Sequence, residues 1–347
     1  MNTAGKVRIA VIGSGKMASL HARNIALTPG ACLAAVAGGS GASGLASAYG
    51  TACLEVDDAF SHPGVDAVVI ASPNRFHADH IVQAANGGKA VLVEKPVDLH
   101  LGRVDECIAA VGAASDRVVV AFNRRFDPSF AAVRERILGG EIGAVEQLLI
   151  ISRDPAPPPL EYVPGSGGLF RDMMIHDLDM ARFLVPGIVS VQATTQETDP
   201  QLAALGDASG AVVTLATCSG ALITILNSRS NASGYDQRLE AAGPRGTLSV
   251  KNATETLVLG SGRGGTNTGG AFTPWYGDRY ATAYGREIEH LVAVARGEAI
   301  PIASLHDGRA ALALAVAAAR SAAMGQRVSV GPAAAQETTP MQVPLPG

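Results

Sequence analysis

The first third of the chain is built from short, nearly continuous apolar runs with no polar alternation. They fall at residues 6–12 (KVRIAVI), 32–37 (CLAAVA), 67–71 (AVVIA), 90–93 (AVLV) and 117–122 (RVVVAF). Stretches with helical periodicity lie between them, through Leu27, up to Tyr49 and onward from His77. Runs of this kind fit parallel strands covered on both faces, so the pattern predicts repeated strand–helix units closing near residue 122.

The pattern changes from Asn123 onward. A helix is predicted over 128–138, and strands over 145–151, 210–216, 222–226, 237–241 and 247–250, several alternating with period two. Two more helices are predicted over 280–296 and 307–324, an exposed loop over 261–270 (SGRGGTNTGG) and a loosely held tail over 332–347. Period-two strands with helices set apart suggest an α+β domain whose sheet faces solvent on one side.

Composition narrows the partners. The 347 residues are 47% apolar and 17% charged, enough to bury a sizeable core without metal or disulfide support. A net charge of −4 with no basic run argues against nucleic acid, which needs clustered Lys and Arg. Cys32, Cys53, Cys107 and Cys218 are widely spaced, with no CxxC pair, which favours free thiols in a reducing compartment. The start, MNTAGK, lacks the apolar stretch of a signal peptide. The apolar run 310–319 is half the length that a bilayer requires. The expected setting is the cytoplasm, away from membrane.

The first strand runs into Gly13-Ser14-Gly15-Lys16-Met17-Ala18, a GxGxxA turn that opens a helix. In this context the first glycine allows the tight turn, and the second lets backbone approach a pyrophosphate at the helix N-terminus. The small third residue lets helix and strand pack. The fold class is therefore α/β: an N-terminal dinucleotide-binding Rossmann domain (1–122), a C-terminal α+β domain with a large, mostly antiparallel open sheet (123–330), and a tail (331–347). An acid that would take the cofactor ribose is missing, because the second strand ends on Gly38-Gly39-Ser40. Ser40 can bond either ribose form and Lys16 can assist a phosphate, so NAD, with NADP as the alternative, stays open at this point.

The candidate chemistry concentrates in residues 167–179, GGLFRDMMIHDLD. On one continuous helix Asp172, His176 and Asp179 fall at i, i+4 and i+7 and share a face. Three readings compete for them: a solvated helix start with an acid cap, an acid/base histidine between carboxylates, and a metal site. Lys95, in Glu94-Lys95-Pro96, follows a parallel strand, and ligands of doubly wound sheets bind at strand carboxyl ends. A proton acceptor such as His176 together with a fixed positive charge suits oxidation of a secondary alcohol.

These pieces resemble the Gfo/Idh/MocA family of oxidoreductases over residues 6–330. The family-like segments are GxGxxA at 13–18, EKP at 94–96, FNRRFDP at 122–128, SRDP at 152–155, GLFRDMMIHDLDMARFL at 168–184, NSR at 227–229, GYDQR at 234–238 and RYATAY at 279–284. The SRDP, GYDQR and RYATAY pieces look most like the inositol-oxidising branch. The resemblance implies a metal-free, NAD- or NADP-dependent oxidation of a cyclic polyol, myo-inositol to its 2-keto form, with an aldose or ketose dehydrogenase as the alternative. A regulatory protein with lost catalysis and a metal hydrolase fit less well, since Lys95 and His176 are both present and the hydrolase ignores the fingerprint.

By the same resemblance Lys95, Asp172 and His176 are the catalytic set, and Arg125, Asp154, Asp179, Tyr235 and Tyr280 line the substrate pocket. The Lys95–Pro96 bond is expected to be cis, and the chain to form a homo-oligomer, dimer or tetramer, through the outer face of the second-domain sheet. The expected cofactor contacts are Gly13, Gly15, Lys16, Met17, Ser40, Asn74, His77, Glu94 and Lys95.

Overall fold

The computed structural model describes residues 5–263 and 265–331. They form two compact units, one of residues 5–126 with Thr282–Leu312, the other of Asp127–Ala281 with residues 313–331. The division thus interleaves in sequence: Thr282–Leu312, expected in the second domain, clusters with the first unit. The tail expected over 332–347 lies outside the described residues.

In the first unit β1 (Val7–Ile12), α1 (Lys16–Leu27), β2 (Ala31–Ala37), α2 (Ala42–Tyr49), β3 (Ala52–Leu54), α3 (Val56–Ser61), β4 (Ala67–Ile70), α4 (His77–Asn86), β5 (Ala90–Val93), α5 (Leu101–Val111) and β6 (Val118–Val120) follow in order. The strands make one parallel sheet, β3-β2-β1-β4-β5-β6. Strands β4, β5 and β6 are buried at every position, which is why they read as unbroken apolar runs. The order reverses between β1 and β4, the switch point at which such sheets open a ligand crevice beyond their carboxyl ends.

The second unit begins with α6 (Pro128–Leu138), whose first N–H groups are capped by Asp127 through Ser129 N and Phe130 N at 3.0 and 3.1 Å. It continues through β7 (Gln147–Arg153), α7 (Val163–Ser166), α8 (Gly168–Asp172), α9 (Ile175–Leu184), β8 (Ile188–Gln196), α10 (Pro200–Ala204), β9 (Gly210–Thr217), β10 (Leu222–Ser228), β11 (Asp236–Gly243) and β12 (Gly246–Val250). A hairpin of β13 (Leu259–Gly262) and β14 (Gly265–Gly269), the short α11 (Tyr276–Arg279), α12 (Ala281–Ala295), α13 (Leu305–Met324) and β15 (Val328–Ser329) complete the described chain.

The large sheet runs β12-β11-β7-β10-β9-β8-β15 and is antiparallel except for the β7–β10 pair. Buried and exposed positions alternate along β7 and β10, as expected of a sheet with one covered face. Two readings change here. The segment expected as a loop at 261–270 pairs with Leu259 and Gly260 as a hairpin, its Thr268 hydroxyl donating to Gly260 O at 3.1 Å. Strand β8, IVSVQATTQ, was not expected at all; its alternation is short and is broken by a register shift between Ile188 and Ser190.

Candidate active site

The turn after β1 fits a dinucleotide. Gly13 has φ +124°, and a Cβ there would lie 2.4 Å from Ala71 O, so only glycine brings β1 and the β4 exit this close. A Cβ on Gly15, by contrast, would meet nothing within 4 Å. Gly15 is also the N-cap of α1 without a side-chain cap, which leaves the helix's first N–H groups available to phosphate oxygens. Lys16 is exposed and Met17 half-buried beside it. NAD therefore fits the residues present: the Gly13–Ala18 turn has the shape and the open N–H groups that a pyrophosphate needs.

The ribose end explains the missing acid. Gly38 and Gly39 have φ +80° and +81°, and a Cβ on Gly39 would stand 2.3 Å from Ser14 Oγ. A carboxylate-bearing residue at either position is strained, and the exposed Ser40 is the first side chain beyond them.

Lys95 follows β5, half-buried between buried Glu94 and Pro96, and its bond to Pro96 is cis. The Glu94 side chain has a partner within the first unit. Its carboxylate is 2.7 Å from His21 Nε2, and both side chains are enclosed. Burial pushes Glu94 up, but the hydrogen bond and charge of His21, with the charge of Lys95, hold it below the ordinary carboxylate range. His77 is fully buried, with both ring nitrogens against backbone carbonyls. Asn74, in the 3-10 turn just before α4, remains half-buried at the same strand ends.

Arg125 is 5% exposed and bonds Ile302 O at 2.6 Å and the Asp307 carboxylate at 3.1 Å. Its guanidinium thus ties Thr282–Leu312 to the rest of the first unit, a job its position in the FNRRFDP motif did not reveal. The same segment brings in Glu287, fully buried, with neither carboxylate oxygen hydrogen-bonded. Burial, and then the charge of Glu94, raise Glu287 well above the usual carboxylate range. The native state therefore keeps a proton that the unfolded chain releases above about pH 4.5. This group's contribution to stability falls as pH rises from there towards the native titration. Glu287→Gln is expected to remove that part of the decline, so that its thermal midpoint gains on the native protein between pH 5 and pH 8. A difference between the two midpoints that stays constant with pH would show Glu287 ionised throughout.

In the second unit the expected single helix is broken. Met173 N and Met174 N both donate to Leu169 O, at 3.1 and 2.9 Å, and this widened turn ends α8 before α9 begins. Asp172 closes α8 while His176 and Asp179 ride on α9, so the straight i, i+4, i+7 face does not form. The cause is a change of hydrogen-bond register, which side-chain periodicity does not report. Among the described residues no three His, Cys, Asp or Glu side chains gather as metal ligands.

What the break achieves is visible in α9. Every residue of the helix is buried except His176, which keeps partial exposure. The helix is pinned by Asp177, whose carboxylate accepts from Asn227 Nδ2 at 2.9 Å. Asp172 accepts from the Tyr162 hydroxyl at 3.1 Å and lies 3.9 Å from Arg229. Arg229, 2% exposed, pairs with Asp207 at 2.9 Å, and Asp207 in turn accepts from Leu169 N at 2.7 Å. This chain of contacts fixes α8 from both ends.

The remaining expected pocket residues lie at one edge of the large sheet. Asp236, Arg153 and Ser228 are register partners across β11, β7 and β10, so Tyr235, Asp154 and Arg229 leave three neighbouring strands at the same end. Asp154 N donates to Ser228 O at 2.9 Å. Tyr235 packs edge-on against Tyr280 with ring centroids 6.1 Å apart, and the Tyr280 hydroxyl is 3.5 Å from Gln237 Oε1. Asp179 is 1% exposed. Five residues that position this edge, Tyr162, Asp177, Asp207, Asn227 and Arg229, were not singled out from sequence. Asn227 and Arg229 had a signal in the NSR motif; Asp207 had none, because its pairing is long-range.

Comparison with known proteins agrees with this architecture. Residues 7–122 match a family described as oxidoreductases with an NAD-binding Rossmann fold, and residues 130–249 match the GFO/IDH/MocA C-terminal domain. An inositol 2-dehydrogenase of Rhizobium meliloti (strain 1021) is 41% identical over 329 residues, 93% of this chain and 99% of the relative. A myo-inositol 2-dehydrogenase of Thermotoga maritima is 35% identical over 325 residues, 91% of this chain and 96% of the relative. The crystal structure of a myo-inositol dehydrogenase from Corynebacterium glutamicum ATCC 13032 superposes with a TM-score of 0.91 at 42% identity, over 94% of this chain and 99% of that one. With both units matched and the likeness spanning nearly the whole chain, the protein belongs to the Gfo/Idh/MocA family of NAD-binding oxidoreductases.

Proposed function

We propose that the chain is an NAD-dependent dehydrogenase that oxidises a secondary hydroxyl of a cyclic polyol, with myo-inositol as the substrate. The observation that carries the reading is His176, the one residue of a buried helix left accessible, beside a sheet edge furnished with Asp154, Tyr235 and Tyr280. The relatives named above as inositol dehydrogenases support the substrate. Bound NAD supplies the hydride acceptor. His176 takes the hydroxyl proton, Lys95 steadies the alkoxide as it forms, and Asp172 orients the reacting diol or the imidazole. Carboxylates such as Asp154 and Asp179 suit a neutral polyol because each accepts from vicinal hydroxyls.

Initial rates with NAD and NADP against inositol isomers and common pyranoses test the reading. myo-Inositol with NAD is expected to exceed every pyranose by tenfold or more in kcat/KM; a pyranose preference of that size would overturn it. NAD is expected to win over NADP by a modest ratio, since no carboxylate beyond β2 repels a 2′-phosphate.

The assembly we propose is a homo-oligomer joined through the open face of the large sheet. Ile151, Leu226 and Val212 are cross-strand partners on that face, an apolar row that remains exposed or half-exposed in the single chain. Light scattering is expected to give a dimer or tetramer mass, and a monomer would sink the idea. Among the described residues no helix is long and apolar enough to cross a membrane, and all four cysteines are unbridged. Both facts support a cytoplasmic setting, which cell fractionation checks.

A further inference from the structure

We propose that His77 is a positioning residue for Lys95. Its imidazole ties the backbone beyond β5, at Pro96, to the backbone beyond β4, at Ser72, and so holds the turn that carries the lysine. The inference rests on the role for Lys95 put forward above and extends it to a residue that reaches no ligand itself.

The geometry is specific. His77 Nδ1 is 2.8 Å from Pro96 O and His77 Nε2 is 2.7 Å from Ser72 O. The ring is 0% exposed, so neither nitrogen has room for a third partner. The two carbonyls lie just beyond neighbouring parallel strands, which end level with one another at Ile70 and Val93. Beyond those ends the sheet ladder stops, and Pro73 and Pro96 each lack an N–H with which to make a regular turn. Buried carbonyls left there need a donor from elsewhere. His77 supplies it from the first residue of α4, a helix whose own Ala78, Ile81 and Ala84 are buried. A second histidine on the same helix, His80, meets Ser72 from its side chain, Nδ1 to Oγ at 3.1 Å.

The ring's charge state bears on the tie. Both partners only accept, and a neutral imidazole has one N–H, so it donates to one carbonyl at a time; the protonated ring donates to both. Burial is the largest influence and leaves the ring's affinity for a proton below that of an ordinary imidazole, against the Pro96 and Ser72 carbonyls and the Glu94 charge, which raise it; the Lys95 charge lowers it further. His80 is the other titratable group facing it. In the neutral ring the Nδ1–H tautomer still ties the Pro96 carbonyl to the start of α4, and the ring fills the space between the two loops.

A double-mutant cycle on the intact enzyme tests the idea. In the native background His77→Leu is expected to lower kcat tenfold or more while the Kd of NAD stays within threefold, because both ring nitrogens already face backbone carbonyls. In a Lys95→Ala background the same change is expected to cost less than twofold, since there is no lysine left to position. His77→Gln keeps an amide donor and is expected to recover part of the loss; it also serves as the first arm of the cycle if His77→Leu does not fold. Equal fold losses in both backgrounds, or a Kd for NAD that rises in step with the loss of kcat, would overturn the tie and make His77 a general stabiliser or a cofactor contact. If Lys95→Ala itself keeps native turnover, the catalytic role of Lys95 fails and the tie has no purpose to serve. The two failures are thus read from different arms.

Discussion

Replacing His176 with alanine is expected to lower the turnover of polyol oxidation by about 10³-fold, within the roughly 10²–10⁴-fold that a positioned acid/base group supplies. The argument starts from burial. A helix enclosed at nine of its ten positions leaves only this imidazole accessible, and the pin between Asp177 and Asn227 holds the helix against the sheet. Histidine is the side chain whose ordinary titration falls between pH 5 and 8, so kcat/KM for oxidation should rise with pH as the imidazole becomes able to accept a proton. His176→Ala should flatten that limb.

Asp172→Asn is expected to behave differently. It leaves the base in place and removes the charge opposite Tyr162 and Arg229, so it should weaken turnover while retaining a titrating step. Both variants should bind NAD as the native protein does, because the glycine turn that suits a pyrophosphate, Gly13–Ala18, belongs to the other unit. The measurement that decides is the pH profile of the His176→Ala enzyme, with dinucleotide binding followed by fluorescence titration. Near-native turnover and an unaltered alkaline rise would show that another group takes the proton.

How far such residues could be read in advance depended on the range of the forces that place them. Strands β4, β5 and β6 were legible because burial on both faces writes itself as an unbroken apolar run, β1 because only Arg8 interrupts one, and Gly13 because its tight turn admits no side chain. The break at Met173–Met174 was not legible, since two N–H groups sharing Leu169 O leave the side-chain pattern of a helix intact. Nor was β8, whose alternation is broken near its start by a register shift between Ile188 and Ser190.

Motifs told which residue types would gather, but not which neighbours would claim them. Arg125 sits within the FNRRFDP segment and His77 at the start of α4, and both carry polar groups suited to ligands; the structure adds partners distant in sequence, Pro96 for His77, Ile302 and Asp307 for Arg125. Asp207 shows the converse. Nothing near it in sequence suggests a role, and only the fold brings it to Arg229 and the start of α8.

Lys95→Ala is expected to cost about 10²–10³ in kcat, a loss of roughly 3–4 kcal/mol of transition-state stabilisation. The ground-state alcohol is neutral and gains little from a nearby ammonium; the alkoxide that forms as the proton leaves gains a charge-assisted hydrogen bond. The loss should therefore appear in kcat, with the KM for polyol and the Kd for NAD within a few-fold of native. Position favours the lysine for this work. It leaves β5 at the carboxyl edge of the parallel sheet, half-buried, on a turn flanked by Glu94, itself fixed to His21. Lys95→Arg sharpens the test, because a guanidinium keeps the charge but spreads it over a planar fork that does not fill the place of a compact ammonium. It is expected to recover part of the rate and no more. If Lys95→Ala turns over within twofold of native, the positive charge is not used at the alkoxide, and the groups that steady it must be sought among the donors at the β7, β10 and β11 edge, of which Arg229 is already committed to Asp207.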